Sequence, residues 1–121
     1  MNSAVDLIRD PAAWDAAVLA SGGHFLQSWG WGEFKRKFGW DVSRVAINAG
    51  ESAAVAQMLV RRKAGVSVGY IPRGPVHTTS EAGAALWQAI GREALRQRAL
   101  FVIVEANEDL PAGLAQAARL T

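Results

Sequence analysis

Residues 66–105 read VSVGYIPRGPVHTTSEAGAALWQAIGREALRQRALFVIVE, and their reading decides the fold. The segment begins with a strand-length run, VSVGYIP, closed by Arg73-Gly74-Pro75. Thr78-Thr79-Ser80-Glu81 then sets a hydroxyl three positions ahead of a glutamate, the capping-box pattern, and opens a helix to about Ala99. Leu86, Ala89, Ile90 and Ala94 recur at helical spacing and mark the inward face, with Arg92, Arg96 and Arg98 outside. Residues 100–105, LFVIVE, form a continuous apolar run rich in β-branched side chains, the pattern of a strand buried on both faces. Strand, helix and strand in succession predict a right-handed crossover, with the last strand parallel to the first.

Upstream, residues 53–63 (AAVAQMLVRRK) read as a longer strand joined to VSVGYIP through Ala64-Gly65. Residues 42–48 (VSRVAIN) alternate, with Ser43, Val45 and Ile47 on one face, and NAGES supplies a turn. Three strands with short connections predict an antiparallel meander. Earlier still, residues 4–8 are a short apolar run closed by Arg9, Asp10 and Pro11, which we expect to be a first strand. Asp10 and Pro11 then suit a helix start, an N-cap carboxylate followed by a proline in the first turn, and Ser21-Gly22-Gly23 ends that helix.

Residues 28–38 fit a second helix, in which Trp31, Phe34 and Phe38 fall at i, i+3 and i+7 and are expected in the core. Lys35 lies about 40° from Trp31 around this helix and Ser28 nearly in line with it, so both stand at the edge of the stripe. Arg36 and Lys37 point away, and Trp29 falls on the polar side near Glu33. Residues 110–120 suggest a final helix. The resulting order, β-α-α-β-β-β-α-β-α, is a mixed α/β sheet with the element order of the GNAT-like acyltransferase fold, lacking that fold's last two strands. The closing strands are expected beyond Thr121, so residues 1–121 are expected to be the N-terminal part of one GNAT-like domain in a longer protein.

Half of the chain is apolar and a fifth is charged, enough for one domain with a real core. A net charge of +2 does not by itself imply a nucleic-acid partner. With no cysteine, a disulfide scaffold, a thiolate nucleophile and a Cys-ligated metal are excluded, and His24 and His77 stand too far apart in sequence to suggest a metal site. The N-terminus carries no basic segment leading into an apolar run, and no stretch approaches the ~20 apolar residues that span a bilayer, so a cytoplasmic location is expected.

Catalytic and phosphate-binding motifs are scarce. Gly30-Trp31-Gly32 lacks a third glycine and lies in an expected helix; no P-loop, G-x-S-x-G or H-E-x-x-H occurs. A coenzyme-A-dependent acyltransferase would carry a glycine-rich cradle of backbone N–H groups after its fourth strand. Here that position reads IPRGPVHTTSE, and Pro75 removes one such donor. No cofactor is therefore expected.

Three blocks carry a more specific signal: Phe25-Leu26-Gln27-Ser28 with Trp31 and Lys35; Tyr70-Ile71-Pro72-Arg73-Gly74-Pro75-Val76; and Val104-Glu105-Ala106-Asn107. In this order they resemble the N-terminal part of the Fem family, the non-ribosomal aminoacyltransferases that build the interpeptide bridge of peptidoglycan. The resemblance implies transfer of an amino acid from aminoacyl-tRNA to a free amine of a peptidoglycan precursor, lipid-linked or nucleotide-linked. Contact with aminoacyl-tRNA would be made by regions outside this chain, and a lipid-linked acceptor would bring peripheral association with a membrane. It places Lys35 on the precursor's diphosphate, with Ser28, Trp31, Tyr70, Arg73, Gly74 and Pro75 as substrate-binding residues. Glu105 matches an acidic position suited to take a proton from the incoming ammonium. Ala106 departs from the proline common there.

Blander readings stand beside these. Lys35 can lay its stem on an aromatic neighbour such as Trp31 or Phe38, Arg73-Gly74-Pro75 can be an ordinary turn, and Glu105 can be an end-of-strand carboxylate, solvated or paired with an arginine of the preceding helix. Two other functions share the same residues. One is a coenzyme-A-dependent N-acyltransferase with a degenerate loop. The other is a nucleic-acid-binding module using Trp29, Trp31 and Trp40 with Lys35, Arg36 and Lys37, against which stands the expectation that Trp31 lies in the core. The isolated chain is expected to lack transferase activity.

Overall fold

The computed structural model describes residues 4–49, 52–77 and 79–106. Its elements in chain order are helices α1 (Ala4–Arg9) and α2 (Pro11–Ala20), a 3-10 turn (Phe25–Gln27) and helix α3 (Trp29–Arg36). Strands β1 (Asp41–Ala49), β2 (Ser52–Lys63) and β3 (Val66–Pro72), helix α4 (Ser80–Arg96) and strand β4 (Ala99–Glu105) follow. The four strands form one mixed sheet in the order β1-β2-β3-β4. The first three make the expected antiparallel meander, and β4 runs parallel to β3. Between β2 and β3 the tight turn has φ of 56° at Ala64 and 79° at Gly65, two successive left-handed residues as a type I′ hairpin turn requires.

The period-2 alternation of the strands splits the core into two layers. Ala54, Ala56, Met58 and Val60 of β2 meet Leu86 and Ile90 of α4, with Ile71 and Val102 beside them. On the opposite face, Val55 and Val76 pack against Leu7, Trp14 and Val18 of α1 and α2. Asp10 caps α2 as expected, its carboxylate accepting from Ala12 N at 3.1 Å with Pro11 at the first helical position. The cap of α4 is Thr79, which accepts from Ala82 N at 3.0 Å. That is one residue later than the box ending at Glu81 would place it, and Thr78 lies outside the described residues.

Three expectations are corrected. Residues 4–8 are helical, not a strand: only Leu7 of this turn is buried, so one side chain anchors a short helix where a strand would need an alternating face. The 100–105 strand is buried on one face only, because α4 covers Val102 and Val104 while Phe101 and Ile103 of the other face stay exposed. The third correction concerns α3, described below. The helix expected over 110–120 lies outside the described residues.

Where β2 and β3 part, a single side chain closes the gap. Their ladder ends at Leu59–Tyr70, and two positions further on the same register would set Gln57 opposite Pro72, which has no N–H to give. The amide of Gln27, fully buried, stands in for the missing partner. Its Oε1 accepts from Gln57 N at 2.8 Å, and its Nε2 donates to Gln57 O at 3.1 Å and to Pro72 O at 2.7 Å. Trp14 Nε1 donates to the Gln27 carbonyl at 2.7 Å and fixes the turn that carries it. Beyond the plug the chain returns to β2, where Val55 and Val76 exchange two backbone hydrogen bonds. Gly74 is required here: a Cβ would lie 2.8 Å from Gln27 Cδ.

A second polar anchor ties α4 to the sheet. Burial by itself would raise the Glu93 carboxyl, but hydrogen bonds from Arg96, Gln97 and Ser43, together with the Arg96 charge, outweigh it and bring it down to about 2. A carboxylate depressed in the folded state stabilises the fold above its unfolded value of 4.5 and loses that contribution as pH falls towards about 2. Acid titration of chain stability should therefore show a loss between those values that Glu93→Gln flattens, read by denaturant unfolding at each pH. Gln27→Leu should cost more at neutral pH. It strands the Gln57 N–H and two carbonyls, at ~1–3 kcal/mol for each unsatisfied group, measurable as a lowered urea midpoint.

Candidate functional site

Helix α3 sits on the sheet with its expected orientation reversed. Phe34 and Phe38 are 47% and 60% exposed, and Trp31 is half-buried. The buried side is Gly32 with Trp29, packed over a polar part of β1 and β2. The Arg44 guanidinium lies 3.5 Å from the Trp29 ring centroid and donates to Gln57 Oε1 at 2.9 Å, to Trp29 O at 3.1 Å and to Glu33 at 3.1 Å. Gln57 Nε2 in turn donates to Ser28 O at 2.7 Å. A Cβ at Gly32 would lie 2.4 Å from Gln57 Oε1, so this close seat needs glycine. Periodicity locates a stripe but does not say which side is inward. Here the surface under the helix is amide and guanidinium, and it selects the helix's small and charged side.

With α3 turned this way, several of the expected residues line up in one row of contacts. The Lys35 ammonium hangs between two indoles, 5.7 Å from the Trp31 centroid and 5.8 Å from that of Trp40. Among the described residues it has no hydrogen-bond or ion-pair partner. Trp40 is flanked by the Arg61 guanidinium at 4.3 Å and by the Tyr70 ring at 6.5 Å. The Tyr70 hydroxyl reaches Glu105 Oε2 at 3.5 Å, the outer limit of a hydrogen bond, and Arg73 Nε stands 3.3 Å from Glu105 Oε1. Burial raises the Tyr70 phenol, and the Glu105 carboxylate beside it raises it further, so the hydroxyl remains a donor across the neutral range.

Parallel pairing puts Pro72 opposite Glu105 at the carboxyl ends of β3 and β4, the end of an open sheet where ligands commonly bind. Arg73 adopts φ of 53° and holds its guanidinium beside that carboxylate. The backbone after β3 is already committed: Gly74 N donates to Glu105 O at 3.2 Å and Val76 N to Val55 O at 2.8 Å.

Ser28, Gly74 and Pro75 are placed differently. Ser28 Oγ caps α3 by accepting from Trp31 N at 3.2 Å, Gly74 is buried against the plug, and Pro75 beside it is buried as well. Trp40 and Arg61 join the row without a role foreseen for Arg61 in the sequence. The available sign was position: Arg61 shares the Gln57 and Leu59 face of β2, which α4 does not cover. No group of His, Asp and Glu residues that could hold a metal occurs among the described residues.

Trp31 is thus not the core residue expected against a nucleic-acid module, and Trp29 is covered instead, while Lys35, Arg36 and Lys37, at successive positions of α3 and its C-cap, still do not share one face. No described helix is long and apolar enough to cross a membrane.

Comparison with known proteins adds independent findings. The model of the FemAB family matches residues 15–114. A crystal structure of FemX superposes with a TM-score of 0.73 at 24% identity, over 88% of this chain and 28% of the FemX chain, a likeness of fold. The chain thus spans under a third of that structure's length. No curated protein sequence matches. The family match covers most of the sequence and includes the aromatic α3 segment, the strand-end turn and Glu105, and on that ground the chain belongs to the FemAB family.

Proposed function

We propose that this chain is the acceptor-binding part of an aminoacyltransferase that forms peptidoglycan bridges, built on a GNAT-like sheet. Family membership and the FemX-like fold support the reading, and one observation carries it to particular residues. Lys35 presents an ammonium between Trp31 and Trp40 with no carboxylate of the described residues drawn to it. Such a group suits the diphosphate of a nucleotide- or lipid-linked precursor as a compact point charge. Trp31 and Tyr70 would flank the ligand and Arg73 would meet an anionic group. Ser28, Gly74 and Pro75 would act by holding α3 and the strand-end turn in place.

In the reaction, the free amine of the precursor attacks the ester carbonyl that joins the amino acid to its tRNA. A C–N bond forms, the ester C–O bond breaks, and the terminal hydroxyl of the tRNA leaves with a proton. The amine must first give up the proton of its ammonium form, and Glu105 is the carboxylate assigned to receive it. Tyr70 and Arg73 hold that carboxylate at the strand end. The tRNA would be bound by regions outside the 121 residues, and a cytoplasmic location fits both substrates.

A coenzyme A site is the weaker reading. Gly74 N and Val76 N are spent within the fold and Pro75 has none, so the turn offers no row of donors for a pyrophosphate.

Titrating the chain with a nucleotide-linked muropeptide, by calorimetry, should show binding that Lys35→Ala weakens roughly tenfold or more, the loss of one charge-assisted contact. Equal affinity in the two proteins would remove the phosphate role. The same chain mixed with aminoacyl-tRNA and muropeptide should give no amide product.

A further inference from the structure

Helix α3 is amphipathic in the wrong sense for a helix of a closed globular core: Gly32, Glu33 and Trp29 face the sheet, while the Phe34 and Phe38 side, with half-buried Trp31, faces solvent. The exposed side is continuous. Phe25, 64% exposed, stands 5.9 Å from Trp31, Trp31 5.3 Å from Phe34, and Phe34 5.0 Å from Phe38. A strip of large apolar rings on one helix face is a binding surface by ordinary expectation. Cations border it. Lys35 and Lys37 flank the strip on α3 and its C-cap, Arg36 lies on the flank towards the sheet, and Arg61 Nη2 donates to Phe38 O at 2.9 Å. The carboxylate of the same helix, Glu33, is engaged by Arg36 and Arg44.

We propose that this strip is a docking surface for an anionic phospholipid bilayer, with Phe25, Phe34 and Phe38 entering the interface and Lys35, Lys37 and Arg61 at headgroup level. The chemistry is that of an interfacial helix: apolar rings on one face, cations along its border, and too short an apolar length to span. The ring geometry favours lipid over nucleic acid. The rings lean on one another at interplanar angles of 31°, 58° and 87°, forming a closed strip instead of separate platforms between which bases could stack. The proposal shares Lys35 and Trp31 with the acceptor reading but rests on neither Glu105 nor a diphosphate, so the two are separated by different probes.

The test is sedimentation of the chain with vesicles of phosphatidylglycerol and phosphatidylcholine, against vesicles of phosphatidylcholine alone, with no muropeptide present. Binding is expected to the anionic vesicles and to weaken roughly tenfold with Phe38→Ser, and again with Phe34→Ser, as the transfer energy of a phenyl ring implies. Lys37→Glu should weaken it several-fold, with the loss growing at low salt. Leu95→Ser, 79% exposed on α4 across the sheet, should bind as the parent does. Because Phe34 and Phe38 are exposed, their variants should keep the parent's circular dichroism and melting temperature, which separates lost binding from lost fold. Absent binding, equal binding to both vesicles, or equal effects of Leu95→Ser and Phe38→Ser would overturn the proposal. So would a dimer, or a complex with single-stranded RNA, that the phenylalanine variants abolish while vesicle binding persists. A muropeptide titration unchanged in Phe38→Ser would show that the acceptor site and the bilayer surface stand or fall separately.

Discussion

The Gln27 amide inside the sheet is the contact on which the rest of this structure turns. Two strands that must separate leave backbone donors and acceptors facing each other across a gap, and a proline on one side guarantees that one donor is missing. Gln27 fills that gap with one acceptor and two donors in the pattern a strand residue would have supplied. Its neighbours follow from this. Gly74 must lack a side chain because the amide occupies the space, Trp14 is placed to fix the Gln27 carbonyl, and the turn carrying Gln27 determines where α3 begins. The strand-end turn with Arg73 and the helix with Lys35 are far apart in sequence, yet one buried side chain joins them.

That dependence explains what could be read in the chain beforehand. The meander, the long helix after the hydroxyl cluster and the parallel last strand were legible, because each rests on a local pattern: alternation, a tight turn at Ala64-Gly65, or a helical repeat at Leu86, Ala89 and Ile90. Local pattern also located Tyr70, Arg73 and Glu105 at strand ends and Lys35 at the border of an aromatic stripe. The resemblance to the Fem family named these residues, and the contacts then joined Lys35, Tyr70, Arg73 and Glu105 in one row through Trp40, which the family resemblance did not name.

What could not be read was sidedness. Trp31, Phe34 and Phe38 have the spacing of a core stripe, and the rule that apolar faces turn inward assumes an apolar surface beneath them. The part of the sheet beneath α3 presents Gln57 and Arg44, two polar residues in runs that otherwise suit strands. Small Gly32, charged Glu33 and the Trp29 ring stacked on Arg44 satisfy that surface, and the Trp31, Phe34 and Phe38 stripe is left outside. A glycine at the centre of a short helix was the available sign, because it costs helix stability unless close approach requires it. The short run at residues 4–8 failed differently. One buried side chain, Leu7, serves a helical turn as well as a strand, and periodicity over so few residues cannot separate the two.

The same sidedness bears on the chemistry. In many phosphate sites the backbone itself is the ligand, a row of N–H groups at a turn or helix start. Here Gly74 and Val76 have spent theirs within the fold, Pro75 has none, and the start of α4 is closed by Thr79. On the proposed reading, recognition of an anionic ligand at this end of the sheet would therefore fall to side chains. The cations within reach of the row are Lys35, Arg61 and Arg73, and they are not equivalent. Arg73 is engaged by Glu105 and Arg61 by the Phe38 carbonyl and the Trp40 face. Among the described residues the Lys35 ammonium meets ring faces, which attract a cation but leave its hydrogens undirected. A phosphate oxygen arriving there meets a charge without having to break an ion pair, so the cost of binding is lowest at Lys35 and rises towards Arg73.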